Sequence, residues 1–436
     1  MSLLGLSIAY LRARALNAAL NLALLALGVG TIVLLLLFSA QLEDRLTRDA
    51  RGFDLVIGSK GSPLQLILSS IYHIDFPTGN VPLAEAERWA AHPLVAEAIP
   101  LALGDSLAGF RIVGTEHAYA EHYDARLADG RLFAAPFEAT LGALVADQTG
   151  LTVGDRFVGS HGLALGGPQH GEHPYTVVGI LEPNASVIDR VALTPLESVW
   201  LAHGIEPEAH PEGAEDAPTH ADDDPHAHEQ EEGSADASVD TPAEPATGGD
   251  GSLRPLEVTS LLVRYSSPIA AVQLPMQVNR QSALQAAAPA LESARLLSLV
   301  GIGLDTLRGF GLLLIGTAGL SVFIALSNAM QERRYDLAVM RTLGASQRQL
   351  FAQPLLEALV LAGAGALLGV LLGHAVAELA GRLVPEARSM ALTGLTWLPQ
   401  EIWVVALTLG VGLLAALLPA FQAYRTDIAA LLASRA

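Results

Sequence analysis

The chain has 436 residues, of which 51% are hydrophobic and only 16% charged, with no cysteine and a formal net charge of −20. That composition is too apolar for an ordinary soluble enzyme, and the missing cysteines exclude disulfides, thiolate metal sites and cysteine nucleophiles. The acidity is local: residues 204–252 hold fifteen Asp or Glu and no Lys or Arg, so the remainder is close to neutral and offers no basic groove for nucleic acid.

In chain order, LLGLSIAYLRARAL predicts a short amphipathic helix within residues 1–15, lying on the cytoplasmic membrane surface. Residues 16–38 form an unbroken run with only Asn17 and Asn21 as appreciably polar members. A helix of that length, rising about 1.5 Å per residue, crosses a hydrocarbon core of about 30 Å. The sequence LLLLFSAQLEDRL offers no small-x-small cleavage site, so the run reads as a retained anchor and not a secretory signal.

Residues 39–203 read as the first part of an external α+β domain. Segments 54–59, 109–115, 175–181, 190–194 and 260–265 are short, β-branched and bounded by Gly, Pro or Asp, which is the strand pattern. LAEAERWAAH (83–92) has an apolar and a charged face, so it predicts a helix. TPLESVWLAHG predicts another, opened by a capping box with Thr194 as N-cap, Pro195 in the first turn and Glu197 at the third position. Residues 254–308 complete the domain, and a helix from Pro289 leads back to the membrane.

Between these parts, residues 204–253 have too little apolar content to offset chain entropy and are expected to be a disordered insert. Within it His210, His220, His226 and His228 stand among carboxylates; a second turn holds His170 and His173. Imidazole with carboxylate suits Zn²⁺ or a similar borderline metal, but no rigid H-E-x-x-H spacing occurs, and a solvated acidic spacer is the competing reading. Asp147, Asp155 and Asp189 fall in turn contexts. With no nucleophile elbow and no zincin helix, the chain is not expected to be an enzyme.

Three further spans are predicted, at 309–330, 353–380 and 401–421, with a short external loop at 381–400 and a tail at 422–436. Arginines flank the spans on one side: Arg12 and Arg14, then Arg333, Arg334, Arg341 and Arg348, then Arg425 and Arg435. The positive-inside rule therefore places both termini and loop 331–352 in the cytoplasm. On the third span Gly365, Gly369 and Gly373 recur every fourth residue, a surface for close helix contact within the chain or in a dimer. His374 and Glu378, near its outer end, are expected to be a solvated i, i+4 pair. The expected fold class is a membrane protein with four transmembrane α-helices, one before and three after a large α+β periplasmic domain.

QERRYDLAVMRTLGA should form a short surface helix with Arg334 and Arg341 on one face, ended by Gly344. Ser346 and Gln349 then form a capping box that starts the next helix. Such arginines pair with lipid phosphates, or they hold a cytoplasmic protein. ERRYDLAVMRTLGASQRQLF resembles the signature loop of the FtsX/MacB-like, mechanotransmission-type permeases of ABC transporters. Glu332, Arg333, Arg334, Asp336, Leu337, Met340, Arg341, Thr342, Leu343, Gly344, Ala345 and Ser346 match its pattern position by position. LPAFQAYRTDIAALL resembles the family's ending at Pro419, Ala420, Ala423 and Asp427, with Ile428 where proline is usual. ALVADQTGLTVGDRF and YTVVGILEPNASVIDRVALTPLESVW are similar to its periplasmic core.

The resemblance implies a permease subunit of the bacterial inner membrane that binds no ATP itself. A separate cytoplasmic ATPase would carry the nucleotide and act on Glu332, Arg333, Arg334, Asp336, Met340, Arg341, Leu343 and Gly344. It implies a homodimer or a heterodimer with a related permease, and leaves room for a periplasmic accessory or substrate-carrier protein. The sequence agrees independently, since no G-x-x-x-x-G-K-[ST] motif occurs in it. Two other readings stand beside this one: a regulator of an envelope hydrolase, and a membrane-anchored metal sensor without transport.

Overall fold

The computed structural model describes residues 3–161, 173–205, 255–333, 339–342, 344–384, 387 and 392–425. The insert beyond Ile205, with His210, His220, His226 and His228, lies outside the described residues, as do His170, Arg334, Asp336, Leu343 and the tail beyond Arg425.

Four helices are long and apolar enough to cross a membrane: α2 (Ala15–Asp49), α9 (Pro289–Glu332), α10 (Gln347–Leu383) and α11 (Glu401–Tyr424). The first is preceded by α1 (Leu3–Ala13), and the chain breaks at Arg14, whose backbone leaves helical geometry. All four outrun the spans expected from hydropathy, α11 by the least. The 44 residues of α9 reach about 66 Å at the usual rise, roughly twice a hydrocarbon core. Its first half and the end of α2 are therefore stalks standing outside the bilayer.

Close approach of the spans is set by glycine. A Cβ at Gly369 would lie 2.5 Å from Val29 Cβ, and one at Gly365 would lie 2.6 Å from Leu25 Cβ. At Gly373 it would meet the Gly30 carbonyl and Val33 at 2.9 Å. The glycine stripe of the third span is thus occupied within the chain, against the first span. Gly28 and Gly311 let α2 and α9 touch in the same way, with Ile315 and Ile32 as the facing side chains. Gly412 admits Ala362 between α11 and α10.

The external domain is built on an eleven-stranded mixed sheet. Its main path runs β13 (Leu284–Ala287), β1 (Leu55–Ser59), β12 (Ser260–Tyr265), β3 (Val95–Leu107), β4 (Phe110–Thr115), β10 (Val191–Pro195), β6 (Glu138–Leu141), β9 (Tyr175–Leu181), β5 (Leu127–Gly130). Most pairs are antiparallel; β10 with β4 and β6 with β9 are parallel. Both faces of the central strands are buried, so alternation divides each strand between two cores. Val56, Leu262, Ile99 and Leu101 face one cluster, which also takes Leu46 of α2 and, partly buried, Leu296 and Leu297 of α9. Leu55, Ile57, Leu261 and Val263 face the other, beneath α4 (Leu83–Ala90), α7 (Leu196–Ala202) and α8 (Ala270–Gln281).

Two local expectations are corrected. Thr194 is no N-cap: it lies in β10, opposite Gly114, and its hydroxyl donates to the Glu138 carbonyl at 2.8 Å and bonds Ser198 Oγ at 2.7 Å. Pro195 takes the N-cap position without a side-chain bond. His374 and Glu378 are not a solvated pair with each other. His374 is 7% exposed, with Nδ1 2.6 Å from the Gly394 carbonyl and Nε2 3.0 Å from Glu401. Glu378 instead accepts from Thr393 Oγ1, Gly394 N and Arg382 Nε.

Candidate functional site

The segment joining α9 to α10 is short, arginine-rich and tightly punctuated. α9 ends at Glu332, with the Arg333 amide donating to the Ala329 carbonyl. Residues 339–342 are helical again, and Gly344 stops them at φ +98. Its amide bonds the Arg341 carbonyl, and the next amide, Ala345, reaches the Met340 carbonyl. A left-handed turn of this kind suits glycine, which has no Cβ to clash. Ser346 Oγ then accepts from the Gln349 amide while Gln349 Oε1 accepts from the Ser346 amide, the full reciprocal box expected from the sequence.

The described side chains fall into two sets. Arg333 turns inward: its guanidinium is 3.3 Å from Glu357 on α10 and 3.6 Å from the centre of the Tyr10 ring on α1. Met340 is half-buried against Met330, Leu350 and Ala423, so it ties the elbow to α9, α10 and α11 together. Glu332 pairs with Arg14 at the α1–α2 break. The outward set comprises Arg341, Thr342, Gly344, Gln347 and Arg348, half-buried or exposed, with Arg341 Nη1 donating to the Ala345 carbonyl at 3.3 Å. Charge patterning could not separate Arg333 from Arg341, because the partners that turn Arg333 inward, Glu357 and Tyr10, are remote in sequence. Arg348 belongs with the outward face although the signature match stops before it.

A cleft behind the elbow is lined by Tyr10, Arg14, Asn17, Asn21 and Glu357. The helix α1 therefore packs as a structural part of the elbow.

At the other end, both stalks are fastened to the sheet domain. Tyr72 lies 2.5 Å from Ser293 Oγ of α9 and donates to the Leu46 carbonyl of α2 at 3.2 Å. Tyr123 donates to the Asp49 carbonyl at 2.7 Å, and Arg190 meets the Asp49 carboxylate at 3.1 Å. Burial lowers the Arg190 guanidinium from its ordinary range, opposed by Asp49 and Asp189. Burial raises the Asp189 carboxyl, opposed by the amides of Asn184 and Ala185 that it accepts from. Arg308 of α9 donates to Ser39 Oγ of α2 at 2.8 Å, joining the stalks where they leave the membrane. Sequence reading did not single out Asp49 or Arg190; a polar pair so far apart carries no local signature.

Among the described residues, no three His, Asp or Glu side chains are grouped to hold a metal ion. Asp155 makes the turn expected of it, accepting from the Thr152 amide and hydroxyl.

Two family models match successive parts of this architecture. The FtsX-like permease C-terminal family matches residues 308–428, and the MacB-like periplasmic core domain matches residues 18–217. The chain is 29% identical over 123 residues to the uncharacterized ABC transporter permease YvrN of Bacillus subtilis, which is 27% of this chain and 29% of that protein. The matched region therefore spans under a third of that relative's length. Among solved structures, the periplasmic region of MacB from Actinobacillus actinomycetemcomitans aligns at TM-score 0.31 and 12% identity, over 57% of this chain and 95% of that one. The extracellular domain of the ABC-type transporter YknZ from Gram-positive bacteria aligns at TM-score 0.28 and 11% identity, over 53% and 98%.

Proposed function

Since the chain belongs to the FtsX/MacB-like permeases of ABC transporters, we propose that it converts the ATP cycle of a separate cytoplasmic ATPase into movement of its periplasmic domain. The observation that carries this reading is the two-sided elbow. Arg333, Glu332 and Met340 bind it to four helices, while Arg341, Thr342, Gly344, Gln347 and Arg348 are left for a partner. Movement there would pass through the glycine contacts to α2 and α9, whose stalks grip the sheet domain through Asp49, Ser293 and Leu46. ATP would stay on the partner subunit.

Two such permeases, identical or related, would offer two elbows to two ATPase subunits. Because the Gly365, Gly369 and Gly373 face is filled by α2, the permease–permease contact would use another surface. Export or extraction of a periplasmic substrate, with an accessory carrier, fits a domain driven from below. A link to zinc through His210, His220, His226 and His228 is a separate proposal, resting on composition alone.

The test is co-purification from membranes together with a Walker-A-bearing ATPase, comparing the native chain with Arg341→Glu and Arg348→Glu. Charge reversal should release the ATPase and abolish its stimulation while membrane insertion is unchanged. Undiminished binding in the double variant would reject the docking role.

A further inference from the structure

The loop between α10 and α11 and the first turn of α11 carry exposed large apolar side chains: Leu395 is 76% exposed, Trp397 67%, Ile402 70% and Trp403 76%. Large side chains left open in this way mark an interaction surface when they are contiguous and firmly held. This loop is firmly held. Gln41 on α2 and Thr393 exchange two hydrogen bonds, of 2.8 and 2.9 Å. The Gly394 carbonyl meets His374, Glu401 meets the other nitrogen of that ring, and Glu401 also accepts from the Leu398 amide at 3.0 Å. Trp397 lies over His374 with ring centres 4.3 Å apart, so its inner edge is packed and its outer face is free.

The height of the loop identifies what covers it. α11 has 24 residues from Glu401 to Tyr424, which is about 36 Å, one hydrocarbon core and part of a headgroup layer. With Tyr424 at the cytoplasmic boundary, Glu401 and the loop tied to it stand at the opposite boundary. Tryptophan is enriched at that depth because the ring is apolar while its N–H still finds water. On the outer half of α10, Leu372, Val376 and Leu379 are exposed as well.

We propose that residues 392–403 form an interfacial anchor, with Leu395, Trp397, Ile402 and Trp403 seated in the lipid leaflet on the sheet-domain side. Through Gln41 the same loop braces α2 as it leaves the membrane, so the first stalk pivots against a lipid-held collar. This stands independently of the ATPase reading.

Tryptophan fluorescence tests it directly. The chain has four tryptophans; Trp89 and Trp200 are buried in the sheet domain, leaving Trp397 and Trp403 exposed. The full chain with Trp403→Phe is reconstituted in phosphatidylethanolamine–phosphatidylglycerol vesicles, with and without lipid brominated near the headgroup end of its chains. Bromolipid should remove the Trp397 share of the emission, and the Trp397→Phe, Trp403→Phe double variant should lose that quenchable component. Quenching of Trp397 by aqueous acrylamide but not by bromolipid would place the loop in water and overturn the proposal. Protection from both quenchers would mean a protein surface covers it, which overturns the proposal equally.

Discussion

Arg333 and Glu357 meet at 3.3 Å with little access to solvent, although α9 ends at one and the other lies three turns into α10. One arginine of the signature segment therefore faces into the protein. Arg333→Ala should take from Glu357 its direct ion-pair partner and leave only Arg14 nearby, a broken buried pair costing about 3–5 kcal/mol. Thermal unfolding in detergent should show a markedly lower midpoint for this variant and an unchanged one for Arg341→Glu. Equal midpoints would remove the distinction between the two arginines.

Gly369 faces Val29 so closely that any side chain must force α10 from α2. Overpacking of this kind costs about 1–3 kcal/mol. Gly369→Leu should lower the thermal midpoint and weaken coupling, whereas Gly363→Leu should be mild, since a Cβ there meets only Leu409 at 3.8 Å. The two midpoints, measured side by side, check this.

Asp49 and Arg190 join the first stalk to the sheet domain, 141 residues apart in sequence. Arg190→Leu removes the closer of the two ion-pair partners of Asp49, leaving Arg45 at 3.7 Å, and should destabilise the junction by about 3–5 kcal/mol. Adding Asp49→Leu should recover part of that loss, because the buried charge goes too. Limited proteolysis at the stalk, faster in the single variant than in the double, is the readout.

His73 predicts an acid response. It is fully enclosed, with Nδ1–H donating to the Ser69 carbonyl and Nε2 accepting from the Tyr119 hydroxyl. Burial, aided by Arg111 and Arg190, pulls it from 6.5 to about 3. Between those values the unfolded chain binds the extra proton, so the stabilisation is complete above pH 6.5 and falls as pH drops toward about 3. Unfolding measured from pH 7 to 4 should show this slope reduced in His73→Gln; an identical slope would assign the acid sensitivity to other groups.

Much of this architecture is legible in the sequence because its causes are local. The strands at 175–181 and 260–265, the glycine stop at 344 and the Ser346–Gln349 box follow from β-branching, positive φ and reciprocal capping. β3 escapes because VAEAIPLALGDSL is rich in Ala and Leu and holds a proline; its strand state comes from pairing with β12 and β4. β13, LQAA, likewise owes its state to pairing with β1. At the site, spacing shows that arginines cluster but not which face Glu357, and it shows a glycine stripe but not that α2 fills it. His374 and Glu378 look like an i, i+4 pair until Gly394 and Glu401 return beside them.

Because the chain lacks cysteine, one placed at the exposed Thr342 is a unique reporter on the elbow. Cross-linking from that position, in native membranes, tests the central claim most directly. The account predicts a cross-linked product with a Walker-A-bearing cytoplasmic ATPase, and no labelling by an impermeant thiol reagent added from the sheet-domain side. Labelling from that side, or a full complement of ATPase with no cross-link at this position, would contradict it.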